Sequence, residues 1–406
     1  MQKICLKIRI FFGMLMLSQN HSEFTRISMK KKISFAVVFN IIVIALSIGL
    51  IAYFCVSEDG LIDLVSSNIS LNALWVVLAV LCQLGNMFID SVVTYMYIKD
   101  DYSGFTFLDG IKSSCVGSFF SAITPSSTGG QPMQVVFMAN KKIDAGFATS
   151  CMTQKFVVFQ ITSTAFSVFA LVFKFDFFIS HVNTPVLWAF VIAGFFSQVV
   201  VTGLFVFISF NKRFSNWAVR VCSKLIRKIK LIKNPEKYIK SITDQVEVFH
   251  NGNKAIMSKP KLLVKSYLLV FVQVLLMMLV PYCIYRAFGL SGASPVDMVC
   301  SQAFVTLASA MIPLPGATGA AELAFSVFYK IFYGTAILKS ALLLWRVITY
   351  YGVILICAPF SILTKKKEEK KPVNAEAACR ENSADQENTE NSENTEGTDC
   401  ECGRDF

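Results

Sequence analysis

The sequence predicts an all-α integral membrane protein with about six full spans plus two re-entrant helical hairpins in an inverted repeat. Three observations carry that expectation. The chain is 54% apolar, 13% aromatic and only 16% charged, with a mean hydropathy of +0.56, the balance of a multi-span membrane protein. Two polar, breaker-rich stretches interrupt its apolar segments: Thr124-Pro125-Ser126-Ser127-Thr128-Gly129-Gly130-Gln131-Pro132 and Pro313-Leu314-Pro315-Gly316-Ala317-Thr318-Gly319-Ala320-Ala321-Glu322. Both contain Pro-x-x-Thr-Gly, and Pro125/Pro315, Thr128/Thr318 and Gly129/Gly319 are each 190 residues apart. Finally, the basic residues fall at places that one consistent topology explains.

Taken in order, residues 1–28 read as an upstream extension of the reading frame. They hold a short apolar run at 11–17 with no small-residue cleavage site, and Met29-Lys30-Lys31-Lys32 leads directly into the first strong span. Full-length apolar spans are expected at 34–56, 71–98, 146–173, 184–210, 262–289 and 338–363. The segment 60–65 is short and amphipathic and is expected in the membrane interface. The stretches 107–140 and 295–334 differ from the spans, because each is an apolar arm, a Pro/Gly break and a second apolar arm. Arms of roughly 10–16 residues reach about 15–24 Å, short of the ~30 Å hydrocarbon core, so each pair reads as a re-entrant hairpin. Irregular backbone at that depth must be surrounded by protein or by a water-filled cavity.

The offset of 190 extends beyond the motif. It carries 71–98 onto 261–288 and 146–173 onto 336–363, so span, broken hairpin, span occurs twice. The first copy lies in 29–210 with its lead span and the next one, and the second in 262–363. An odd number of crossings per copy makes the second copy inverted. Lys30, Lys31 and Lys32 place the N-terminus in the cytoplasm; four crossings return the chain to the basic linker 211–261, and two more deliver the basic run 365–371 to the same side. Both termini are thus expected to be cytoplasmic, with the first hairpin entering from the cytoplasm and the second from outside. The linker reads as interfacial helix on anionic lipid, and the acidic, Asn/Ser/Glu/Thr-rich tail 364–406 as disordered.

The net charge of +11 does not point to nucleic acid here, since basic loops of a membrane protein lie against lipid headgroups. The 12 cysteines include no Cys-x-x-Cys pair and the 3 histidines are far apart, so neither a metal, a cofactor nor a disulfide framework is expected.

Ionisable residues inside spans are costly and mark function by default. Asp90, Lys155, Glu322 and Arg346 are the candidates. Lys155 shifted by 190 falls at position 345, next to Arg346, so the last span of each copy carries a cation near the midplane. Half-helix N-termini at the breaks favour phosphate or carboxylate. Gly129, Gly130, Gly316 and Gly319 permit close backbone approach, while Ser126, Ser127, Thr128, Thr318 and Gln131 add polar groups. Two bland readings compete: the breaks serve helix packing, and Asp90 with Lys155 or Glu322 with Arg346 are buried ion pairs that hold the bundle. Asp90 has no acidic counterpart at Val280, so the symmetry is incomplete.

The two breaker stretches resemble the paired signatures of the lysylphosphatidylglycerol synthase transmembrane family, the flippase half of the bacterial multiple peptide resistance factor. The resemblance covers about residues 30–363. It implies a bacterial cytoplasmic-membrane protein that moves (lysyl-)phosphatidylglycerol or a related anionic or aminoacylated lipid. The tail stands where that family's soluble synthase domain would be, so lysyltransferase activity is not expected of this chain. Membrane phospholipid is the expected partner, with a homo-oligomer or a separately encoded synthase as protein partners. The competing functions are a secondary transporter of a small or lipid-linked solute, a membrane-embedded transferase, and a membrane partner of a separate lipid-modifying transferase.

Overall fold

The computed structural model describes residues 71–362, apart from 183, most of 212–234, 311 and 313. The expected lead span 34–56, the interfacial segment 60–65, the leading residues and the tail lie outside the described residues.

Within them the fold is all-helical. In chain order the elements are α1 (Ala73–Ile98), α2 (Phe107–Ile123), a 3-10 turn (Pro125–Ser127), α3 (Gly130–Asn140), α4 (Ala145–His181) and α5 (Pro185–Phe210). Then come α6 (Pro235–Met257), α7 (Pro260–Ala287), α8 (Pro295–Ala310), a second 3-10 turn (Pro315–Ala317), α9 (Ala320–Arg346), a π turn (Val347–Tyr351) and α10 (Gly352–Ile362). Five segments are long and apolar enough to cross a membrane: Ala73–Ile98, Ala145–His181, Pro185–Phe207, Pro260–Ala287 and Ile337–Ser361.

Local chemistry sets the boundaries. The Asn72 side chain accepts from the Leu74 amide at the start of α1 (3.1 Å), and Asp144 accepts from the Gly146 and Phe147 amides at the start of α4. Thr106 with Asp109, and Ser294 with Asp297, form reciprocal capping boxes at the starts of α2 and α8. Pro185 and Pro260 open α5 and α7, where a missing N–H costs nothing. Gly334 adopts φ +69 inside α9, so 320–333 is separated from the long apolar span that follows. The first copy makes the same break with the loop 141–144.

The repeat is visible in the backbone. Ser126 (φ 51) and Ser127 (φ 54) in the first 3-10 turn correspond at an offset of 190 to Gly316 (φ 59) and Ala317 (φ 49) in the second. The equivalent helices α1 and α7 run antiparallel. The Asn72 amide donates to the Ala287 carbonyl at one end (2.9 Å), and the Tyr97 hydroxyl donates to Ser266 Oγ at the other (2.9 Å). Trp75 against Tyr282 makes an edge contact between them. Equivalent elements pointing in opposite directions are what an inverted repeat requires.

Polarity is arranged for an apolar surround. Leu74, Leu81, Phe88, Val172, Phe173, Leu268 and Leu355 are exposed, whereas Ser91, Thr94, Ser113, Ser114, Gln134 and Arg346 are buried. An exposed apolar belt of this size on a soluble protein would be an association surface; on spans of this length it faces lipid. In the described part of the linker, α6 turns one face onto α4. Phe249, His250, Asn253 and Ile256 of α6 are buried, Asn253 accepts a hydrogen bond from Gln154 of α4, and Gly252 closes on Ser150. Buried amides must find partners, and here they find each other.

Candidate functional site

The two candidate cations, Lys155 and Arg346, are held in ion pairs. Lys155 Nζ on α4 lies 2.7 Å from Asp90 Oδ2 on α1 and donates to Thr94 Oγ1 at 2.7 Å. Thr94 in turn donates to the Asp90 carbonyl one turn back (2.8 Å) and lies 3.3 Å from Ser114 Oγ. The first cation is therefore matched by a carboxylate and a hydroxyl.

The second cation is held differently. Arg346 Nε lies 2.7 Å from Glu322 Oε1, but its N–H is not aligned on that oxygen, so the contact is an ion pair without a hydrogen bond. Nη1 donates to the Gly316 carbonyl (3.1 Å). Nη2 is buried and has no hydrogen-bond partner among the described residues. The guanidinium also lies 5.0 Å from the Trp345 ring and 5.4 Å from the Tyr350 ring. An unmatched N–H on a residue only 4% exposed is costly unless something polar meets it.

The two 3-10 turns pack against each other, bringing the breaker stretches together. Their polar groups are partly committed to the backbone. Thr128 donates its hydroxyl to the Pro125 carbonyl (2.9 Å), and Thr318 does the same to Pro315 (2.7 Å). At the first turn Thr124 accepts from the Gly129 amide (2.9 Å), and at the second Glu322 accepts from the Gly319 amide (2.6 Å). Ser126 and Gln131 are half-buried, and Ser127 is exposed.

The glycines separate into two groups. A Cβ on Gly129 would press on the Thr124 side chain, and one on Gly130 would lie 2.7 Å from the Gly117 carbonyl oxygen, so both let α3 close on α2. A Cβ on Gly319 would meet nothing within 4 Å. The open space lies at the second tip, beside Glu322.

Sequence reasoning missed Thr94 and Tyr350. Each lies four residues after a residue it did find, Asp90 and Arg346, and i,i+4 neighbours share a helix face. That spacing was the available signal.

A bundle of long apolar helices with paired charges inside defines a helical membrane protein. Comparison with known proteins places it further. The family Lysylphosphatidylglycerol synthase TM region matches residues 40–357, and the chain belongs to that family. It is 25% identical over 281 residues to a UPF0104 membrane protein of Archaeoglobus fulgidus, covering 67% of this chain and 82% of the relative. No solved structure matches it.

Proposed function

We propose that this protein is a flippase-like lipid translocase of the bacterial cytoplasmic membrane, moving (lysyl-)phosphatidylglycerol or a related anionic or aminoacylated lipid. The unmatched N–H of buried Arg346, beside the open second tip, is the observation that carries this reading. A lipid phosphate would supply the charged acceptor that the guanidinium lacks, and Arg suits such oxygens. The family's printed description and the lipid-facing belt support a substrate drawn from the bilayer.

In this reading 107–140 and 295–334 are re-entrant hairpins and 34–56 is the sixth span, with both termini cytoplasmic. The helix lengths support it: α2, of 17 residues, and α3, of 11, would reach about 25 Å and 16 Å, less than a bilayer core. Arg346 holds the phosphate from the second tip. The Asp90–Lys155 pair, already matched, receives a headgroup only when the pair opens, and Asp90 or Glu322 then faces a cationic aminoacyl group. Polar groups at Ser126, Ser127 and Gln131 line the approach from the opposite side.

Reconstitution tests the proposal. Proteoliposomes should translocate fluorescent phosphatidylglycerol or lysyl-phosphatidylglycerol faster than protein-free vesicles of the same lipid. Rates equal to the protein-free control for both lipids refute it.

A further inference from the structure

Tyr350 joins the two halves at the tips. Its hydroxyl donates to the Ala122 carbonyl (3.1 Å) in the last turn of α2, where helix geometry leaves carbonyls without an intrahelical donor. Its ring lies 5.4 Å from the Arg346 guanidinium. The same ring fills the space that a Cβ on Gly316 would need, with its Cζ 2.6 Å from that position. Tyr350 belongs to the π turn Val347–Tyr351, a one-turn bulge of the kind often found at functional sites. One residue therefore touches the first tip, the second tip and the cation.

We infer that Tyr350 is a positioning residue: it ties the last span of the second copy to the first hairpin tip, and an anion arriving at Arg346 displaces its ring and releases the tie. This rests on the anionic-headgroup reading of Arg346 given above. A phosphate oxygen makes a charge-assisted hydrogen bond with a guanidinium, which outweighs the face of an aromatic ring. Once the ring moves, the hydroxyl cannot stay on Ala122, and the hydrogen bond that joins the two copies at the tips is gone. Binding and parting of the tips are then the same event, with no separate signal between them.

Amide hydrogen exchange of the full chain in lipid nanodiscs tests this. In phosphatidylcholine, Tyr350→Phe keeps the ring and loses the tie, so amides at 118–130 and 314–322 should exchange about fivefold faster than in wild type, the equilibrium factor of one net buried hydrogen bond. Wild type moved into phosphatidylglycerol should show the same acceleration, and Tyr350→Phe should gain nothing further from that lipid. The α1–α7 seam should keep its protection throughout, and a merely structural role for Tyr350 predicts no acceleration of wild type by phosphatidylglycerol. Unchanged tip exchange in Tyr350→Phe overturns the tie. Faster exchange in the variant with no response of wild type to phosphatidylglycerol overturns release by an anion. Translocation by the same protein reconstituted in proteoliposomes separates the two readings: no lipid movement with this exchange pattern intact removes the translocase and leaves the tie standing.

Discussion

The two hairpins share a backbone and differ in what lines them. Phe304 stacks on Phe328 and Phe325 on Trp345 in the second copy, with centroids 5.4 and 4.9 Å apart. The positions 190 residues earlier hold Ser114, Met138, Val135 and Lys155. The second copy sets its cation among rings that cannot accept strong hydrogen bonds, so Arg346 keeps an N–H unmatched. The first copy sets its cation among hydroxyls and a carboxylate, so Lys155 donates to both Asp90 and Thr94. Duplicated geometry does not imply duplicated chemistry: the second tip leaves a buried N–H unmatched beside open space, and the first copy pairs its cation with a carboxylate and a hydroxyl.

Removing each cation is the strongest way to break that contrast. Arg346→Met and Lys155→Met each strand a partly buried carboxylate, and the loss should be somewhat larger for the more buried Arg346, about 3 kcal/mol of stability against about 2 kcal/mol. Thermal unfolding in detergent reads both. Arg346→Lys keeps the charge and removes the spare N–H, so it should lose bound phosphatidylglycerol in native mass spectrometry even where it folds. Retention of the lipid by Arg346→Lys would make the two tips equivalent.

A smaller difference is expected between the two strained turns. Gly316→Ala forces a side chain into positive φ and into the Tyr350 ring, and should cost about 2 kcal/mol. At the matching position Ser126→Gly relieves the same backbone and should gain about 1 kcal/mol. Urea unfolding of the two variants with the same sign would remove the distinction.

The smallest effect is one the halves share. Asp109 and Asp297 are each pushed up by burial, but a lysine ammonium (Lys141, Lys174) and the capping hydrogen bonds outweigh it and hold both below the usual carboxylate range. A carboxyl lowered in the folded state contributes stability that is present above its unfolded value and is lost as pH falls through its folded one. Both should therefore destabilise the fold only below about pH 4. Asp109→Asn and Asp297→Asn should each flatten the acid limb of the stability profile by a similar amount.

Much of this was legible in the sequence. The long spans are periodless apolar runs, which composition alone locates, and the five described ones fall where expected. The offset of 190 reports a backbone repeat, and Ser126/Gly316 show that it held at the level of φ. The pairing of Asp90 with Lys155 and of Glu322 with Arg346 was named as one of two readings of the same residues, and the structure shows both pairs. What could not be read is which groups remain after pairing. Thr128 and Thr318 look like free donors in a sequence, yet each turns back on a proline carbonyl three residues away. Gly130 and Gly319 look alike, yet one is filled by a neighbouring helix and the other faces open space. Such differences depend on contacts between segments far apart in the chain.

The seam between α1 and α7 carries a consequence of its own. One end is fastened by backbone, Asn72 to Ala287, and the other by side chains, Tyr97 to Ser266. Substitution can erase the second fastening but not the first, because every non-proline residue at position 72 supplies the same amide. The stiffness of the seam is thus fixed by the backbone at one end and adjustable by substitution at the other.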